Sequence, residues 1–346
     1  MNDSFDPNAP ARSDSGLFGL SCPLSEAGVH VIPVPFDATT SYRDGAALGP
    51  EAILPASHQV DLYDVFVGRP WREGISLRPT DPRFAKWNEE ARRLATEVRS
   101  AREEGKDPFA FHDSLRRVNA IGSEVNTYVH GCTDKALDAG ALPVVLGGDH
   151  AVPFGAIHSI ARSSPGFGIL HFDAHADLRR AYEGFEWSHA SIMHNVLERV
   201  DGVKRIVQVG VRDLCDEEAA RIESDPRVRT LFDEEWSRAR AGSEPLVEVV
   251  RRTISQLPEE VYVSFDIDGL DPSLCPNTGT PVPGGLTWHD AMLWLGELAA
   301  SGRRVIGLDL VEVAPGPTAE GEDSWDAIVG ARLLYKLIGV ALLTRK

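Results

Sequence analysis

Phe167-Gly168-Ile169-Leu170-His171-Phe172-Asp173-Ala174-His175-Ala176-Asp177 opens as an apolar run and closes on alternating acidic and imidazole side chains. A short, nearly continuous apolar run is the pattern of a strand buried on both faces of a parallel sheet. Similar runs occur at Val29–Pro35, Leu142–Leu146, Arg205–Val211, Val228–Phe232, Val261–Phe265 and Arg304–Val311. Helical patterns separate them, among them a long stretch over Ala85–Glu104 and another over Ser114–Ala139, with Asp113 or Ser114 as its N-cap. Strands alternating with helices predict an α/β fold, a three-layer α/β/α sandwich around a mainly parallel sheet. A single domain is expected over 25–346, preceded by a flexible tail over 1–24 whose start is rich in Asp, Asn, Pro and Ser. The proline-rich stretch Arg69–Pro82 could mark a boundary, but the pieces before it are too small to hold a core.

Ligands of open α/β sheets bind beyond the carboxyl ends of the strands, and three segments place chemistry there. The first is Gly147-Gly148-Asp149-His150, whose glycines allow a sharp turn that presents His150. In the second, Asp173, His175 and Asp177 are spaced by two, so in an extended chain they share a face. The third is Ser264-Phe265-Asp266-Ile267-Asp268-Gly269-Leu270-Asp271-Pro272, where Asp266 and Asp268 again share a face. Alone, a Gly-Gly-Asp-His turn is a common helix entry, and Asp-Ile-Asp-Gly lacks the further acids of a calcium loop. Together, several carboxylates at the end of an apolar sheet are electrostatically unfavourable unless cations neutralise them. Mixed imidazole and carboxylate donors suit manganese, iron, nickel or zinc, and four carboxylates with two imidazoles are too many for one ion. Two ions sharing bridging carboxylates would use them all and activate a water between them.

The chain has 346 residues, with 52 acidic against 35 basic side chains and a formal net charge of −17. That balance repels a phosphate backbone and draws in a small cation, so nucleic acid is not an expected partner. Cys22, Cys132, Cys215 and Cys275 lie far apart without metal or disulfide spacing, the pattern of reduced thiols in a cytoplasmic protein. No signal-peptide pattern and no apolar stretch of bilayer length is seen, so no membrane partner is expected.

Gly147–His150, Asp173–Asp177 and Ser264–Pro272, in that order, resemble the three signature motifs of the ureohydrolase family of arginases, agmatinases and guanidinobutyrases. Ser41-Tyr42-Arg43 with Gly49-Pro50, and Gly279-Thr280-Pro281 with Gly284-Gly285-Leu286, extend the similarity from about residue 28 to the C-terminus. The resemblance implies the arginase/deacetylase-like sandwich, a centre of two divalent ions, manganese first and nickel as the alternative, and a homotrimer or homohexamer. Carried over by position, one ion would be held by His150, Asp173, Asp177 and Asp266, and the other by Asp173, His175, Asp266 and Asp268. His189 falls where the family keeps a proton-shuttling loop histidine, and Glu312 where it keeps a glutamate that pairs with the guanidinium. Asp177 would orient the nucleophile while ligating.

The implied reaction is hydrolysis of a small cationic guanidino substrate to urea, with agmatine giving putrescine as the leading expectation. Free guanidine with nickel, or a guanidino acid, is the alternative substrate, and an inactive metal-stabilised homologue the alternative class. Arg179 stands where arginases keep a small amide, which weighs against arginine, and Tyr182-Glu183-Gly184 looks agmatinase-like. Arg179, Trp187 and Thr280 are the further candidates for substrate contacts. His171 is either a support for the ligands or a core histidine. His30, His58, His112, His130, His158, His194 and His289 are assigned to surface or packing.

Overall fold

The computed structural model describes residues 5–317 and 324–345. Its sheet has eight strands: β1 (Val29–Val34), β2 (Ile75–Leu77), β3 (Leu142–Gly147), β4 (Phe167–Phe172), β5 (Val203–Val209), β6 (Val228–Leu231), β7 (Glu260–Asp266) and β8 (Arg304–Val311). They lie in the order β2-β1-β3-β8-β7-β4-β5-β6, and every pairing is parallel. Seven correspond to the apolar runs, with ends shifted by a few residues; β2 lies within the stretch expected to be punctuation. Three residues are too few to show a period, and β2 exists only through its parallel pairing with Val29–Val31.

Helices cover both faces. On one side α1 (Gly49–Ser57) packs on α10 (Trp325–Leu343), which meets α9 (Trp288–Ala300); α9 meets α8 (Leu246–Ile254), and α8 meets α7 (Asp233–Ala241). On the other, α2 (Arg83–Glu103) packs on α3 (His112–Asp138), α3 on α4 (Phe154–Ser163) and α4 on α5 (Ile192–Arg199). A further helix, α6 (Asp216–Ser224), precedes β6. Alternate strand residues feed the two layers: Leu170, Phe172, Val207 and Val263 pack with α8–α10, whereas Phe167, Ile169 and Ile206 pack with α4 and α5. Strands covered on both sides must be apolar on both sides, which is why their sequence pattern is continuous.

Part of the expected flexible tail is core. Leu17, Phe18 and Leu20 are fully buried, the Phe18 ring meets Tyr335 of α10, and its backbone N–H donates to Ser57 Oγ at 2.8 Å. The polar composition of residues 1–16 carries the expectation of looseness, but the apolar residues Leu17, Phe18 and Leu20 that follow supply burial enough to hold themselves in the core.

The segment between β1 and β3 braces the region around the cleft described below. Arg99 of α2 bonds Glu183 Oε2 at 2.6 Å and donates to the Thr39 carbonyl at 2.9 Å. Asn119 and Ser123 of α3 accept from Glu186 N and Trp187 Nε1, at 2.9 and 2.8 Å.

Candidate metal centre and active site

The four central strands, β3, β8, β7 and β4, deliver the candidate residues from their carboxyl ends. His150 follows β3, Asp173–Asp177 follows β4, Asp266 ends β7 with Asp268 just after it, and Glu312 follows β8. Residues up to 162 positions apart thus meet because their strands are neighbours in the sheet. The turn after β3 demands glycine at 148, since a Cβ there would overlap the Phe36 backbone.

His150 Nδ1 lies 2.8 Å from Asp173 Oδ2, 3.2 Å from Asp177 Oδ2 and 3.3 Å from Asp266 Oδ2. Its Nε2 meets Ser264 Oγ at 2.9 Å, and Ser264 Oγ donates to Asp309 Oδ1 at 3.1 Å. Because the serine proton is committed to Asp309, Ser264 accepts from His150 Nε2–H, which turns Nδ1 toward the carboxylates. His175 Nδ1 lies 3.2 Å from Asp268 Oδ2 and 3.4 Å from Asp173 Oδ1. Two groups of donor atoms result: His150, His171, Asp173 and Asp177 in one, Asp173, His175 and Asp268 in the other, with Asp173 common to both. Asp266 reaches His150 with one oxygen, and its other oxygen accepts from Asp268 N at 2.8 Å.

Asp149, Asp173, Asp177, Asp266, Asp268 and Glu312 are all buried. Burial, reinforced by Asp173, pushes the Asp177 carboxyl up to about 7, and burial with Asp268 and Asp173 raises Asp266 well above the carboxylate range. Burial also raises Glu312, with Asp149 and Asp268 adding to it. Burial alone would lower His150, but its bonds to Asp173, Asp177 and Asp266 carry it well above an ordinary histidine. The cluster therefore demands positive charge, and its oxygen and imidazole donors are those of a divalent transition-metal centre, so the residues present fit such a centre.

Beside it opens a cleft of about 150 Å³ lined by His175, Asp177, His189 and Thr280, with Arg179, Tyr182, Asp213 and Glu218 on its wall. His189 Nε2 is 3.3 Å from Ser41 Oγ, and burial, aided by His175, pushes its imidazole down to about 3, the neutral form. Thr280 Oγ1 donates to Asp268 Oδ2 at 3.4 Å. Arg179 Nε lies 3.5 Å from Glu218 Oε2, and its guanidinium covers the Tyr182 ring. Glu312 is not among the residues lining the cleft; its Oε1 accepts from His150 N at 3.0 Å, while its buried Oε2 has no partner among the described residues.

Trp187 does not take the place expected of it. It leaves the cleft and packs on α3, where a Cβ at Gly122 would lie 2.8 Å from its own Cβ, and on Phe154 at 4.8 Å between ring centroids. Gly122 of α3 leaves room for the ring there, where its Nε1–H also donates to Ser123 Oγ. Asp213 and Glu218, by contrast, were not singled out in the sequence. Asp213 lies two residues past the Arg205–Val211 run, near the strand-end place that Asp173 takes after its own, and that signal could have found it; Glu218 sits inside a helix and carried no signal.

The arginase family model matches residues 27–339. The chain belongs to the arginase family. This ureohydrolase is 34% identical over 319 residues to the N(1)-aminopropylagmatine ureohydrolase of Thermus thermophilus, spanning 92% of each chain. It is 31% identical over 292 residues to the agmatinase of Bacillus anthracis, spanning 84% of this chain and 85% of that one. The agmatine ureohydrolase of Thermoplasma volcanium shares its fold, with a TM-score of 0.67 over 93% of this chain and 92% of that one, at 22% identity. The protein is thus an enzyme, an amidinohydrolase of a family dependent on two metal ions.

Proposed function

We propose that this ureohydrolase acts on a guanidino compound with a cationic aminoalkyl tail, agmatine first, releasing urea and putrescine. The observation that carries the reading is the charge of the cleft wall. Arg179, the cation that could attract a carboxylate tail, is engaged by Glu218 and the Tyr182 ring, whereas Asp213 is exposed on the same wall and bears no ion pair among the described residues. A free carboxylate favours an amine over a carboxylate at that end. The names of the relatives from Thermus thermophilus and Bacillus anthracis support the same substrate class.

In this reading His150, Asp173, Asp177 and Asp266 hold one ion and Asp173, His175, Asp266 and Asp268 the other, manganese first and nickel as the alternative. When bound, the ions lower the pKa of water from 15.7 toward ~7 and so supply a nucleophile at neutral pH. Asp177 is held at φ 55°, a left-handed conformation that aims its carboxylate at the cleft and orients the attack. Glu312 Oε2, buried behind the cleft lining and without a partner among the described residues, would take the guanidinium N–H groups of a substrate that reaches past that lining, which restores the hydrogen bonding a buried oxygen needs. His189, neutral on the cleft wall, takes up a proton from solvent and passes it to the departing nitrogen, which leaves the imidazole neutral again. The enzyme works as a homotrimer or homohexamer in the cytoplasm.

Urea release by manganese- or nickel-loaded protein should be compared across agmatine, arginine, guanidine, guanidinobutyrate and guanidinopropionate. Agmatine is expected to have the highest kcat/KM, and Asp213→Asn should lower that value about tenfold while leaving free guanidine unchanged. A guanidino acid or guanidine as the best substrate, or an Asp213→Asn loss equal on all of them, would overturn this reading.

A further inference from the structure

His171 of β4, Gln208 of β5 and Thr230 of β6 are register partners on three adjacent strands. All three are buried, and they share the sheet face covered by α4 and α5, where apolar residues would be expected. Nothing in the reaction uses them, yet burying an imidazole, an amide and a hydroxyl in one row is costly unless each is satisfied.

Their hydrogen bonds leave no freedom in where the protons sit. Thr230 Oγ1 lies 2.8 Å from Gln208 Oε1 and donates to it once the amide is oriented by the bond that follows. Gln208 Nε2 donates to the Ala176 carbonyl at 2.7 Å, which an amide flip would turn into a clash of two oxygens. The second hydrogen of that nitrogen points at His171 Nδ1, 3.0 Å away. His171 Nδ1 must therefore accept, so its ring carries the proton on Nε2, and Nε2 donates to Asp173 Oδ2 at 2.8 Å. A ring nitrogen that carries a proton is not a metal donor, so His171, although it lies among the donor atoms near Asp173, is a support and not a ligand.

We propose that Thr230 and Gln208 act as positioning residues: they set the tautomer of His171, and His171 in turn orients Asp173, the carboxylate common to both donor groups. Gln208 has a second hold on the same segment, because Ala176 lies between His175 and Asp177. The row is a lever that runs from β6, away from the cleft, to the middle of the centre. The part concerning metal affinity rests on the two-ion reading above; the tautomer does not.

The test uses metal-free protein labelled with ¹⁵N-histidine, with the His171 resonances assigned by a His171→Asn variant, alongside manganese titration of the whole protein well below its Tm. The wild type should show His171 protonated on Nε2 alone. Gln208→Glu, which offers an acceptor where the amide donated, should move a proton onto Nδ1, and Thr230→Val, which leaves Gln208 Oε1 without its donor and lets the amide tilt away from His171, should leave a mixture of tautomers. Each variant should weaken manganese binding by about 10–100-fold, and Thr230→Ser should restore both readouts. A wild-type ring protonated on Nδ1 overturns the proposal, whether or not the variants fold. So does unchanged manganese affinity in variants whose tautomer has moved. Failure of the wild type to take up two ions would instead overturn the metal reading, while the tautomer result would still decide the row.

Discussion

Among the described residues, four that are not glycine have positive φ: Phe18, Asp177, Glu183 and Glu312. Two are carboxylates of the candidate site, and Glu183 follows Tyr182 on the cleft wall. Left-handed backbone at such residues costs on the order of 1–3 kcal/mol each and persists only where surrounding bonds hold it. They do so here: Met193 N and His194 N both donate to the Asp177 carbonyl, Arg99 holds the Glu183 side chain, and Glu312 N donates to the Gly148 carbonyl. His189 is different in kind, since among the described residues its ring nitrogens meet only hydroxyl oxygens, Ser41 Oγ and Ser188 Oγ, while the ring packs on Tyr182. Changing it to alanine should lower kcat by about 10²–10⁴-fold with both ions still bound, and added imidazole should restore part of the rate. Ions lost together with the side chain would make His189 a ligand and the shuttle assignment wrong.

At the scale of elements, the junction of α6 and β6 shows how charged hydrogen bonds help to hold a connection. Asp225 accepts from Arg227 through N, Nε and a terminal nitrogen and from Arg221 Nε, and these bonds, those of Arg227 first, hold its carboxyl at about 2. Its folded value lies below the unfolded one, so the stabilisation is complete above about pH 4 and fades as pH falls toward 2. After allowance for solvent screening it contributes about 1 kcal/mol. Asp225→Asn should therefore unfold at lower urea than the wild type at pH 7, with the gap closing as pH drops from 4 to 3; a constant gap would show that Asp225 acts through its turn and not through its charge. The elements around His189 follow another logic. The expectation of a long charged helical segment between β1 and β3 was met by α2 and α3, but their use was not visible in sequence. Arg99, Asn119 and Ser123 look like ordinary helix-surface residues until the fold lays the 183–187 loop across them.

At the scale of the molecule, buried acids gathered at one sheet edge in a chain of net charge −17 store repulsion that a cation relieves. In the metal-free protein Asp177 and Asp149 keep protons up to about pH 7, which the unfolded chain releases near pH 4. For carboxyls raised in this way, stability is full below about pH 4 and is lost as pH rises through 7. Chelation should therefore lower Tm, and the Tm gap between loaded and metal-free protein should widen from pH 5 to pH 7.5, because metal also binds more tightly as its ligands lose protons. Equal Tm values with and without chelator at pH 7.5 would show that the cluster is not a site of tight metal binding.

The apolar runs determined the layered α/β architecture, because a strand covered on both faces must be apolar throughout, and the acids and histidines at the carboxyl ends of the central ones marked the site, because ligands of such sheets bind there. Those are local properties, legible one strand at a time. The strand order β3-β8-β7-β4 is not local; it brings Glu312 beside His150 and places Ser264 between His150 and Asp309. The turn of Trp187 toward α3, the burial of Leu17 and Phe18, the strand at Ile75–Leu77 and the row from Thr230 to Asp173 were likewise decided by the tertiary structure. Each depends on a partner distant in the chain, and a side chain's choice between two surfaces has no expression in the residues next to it.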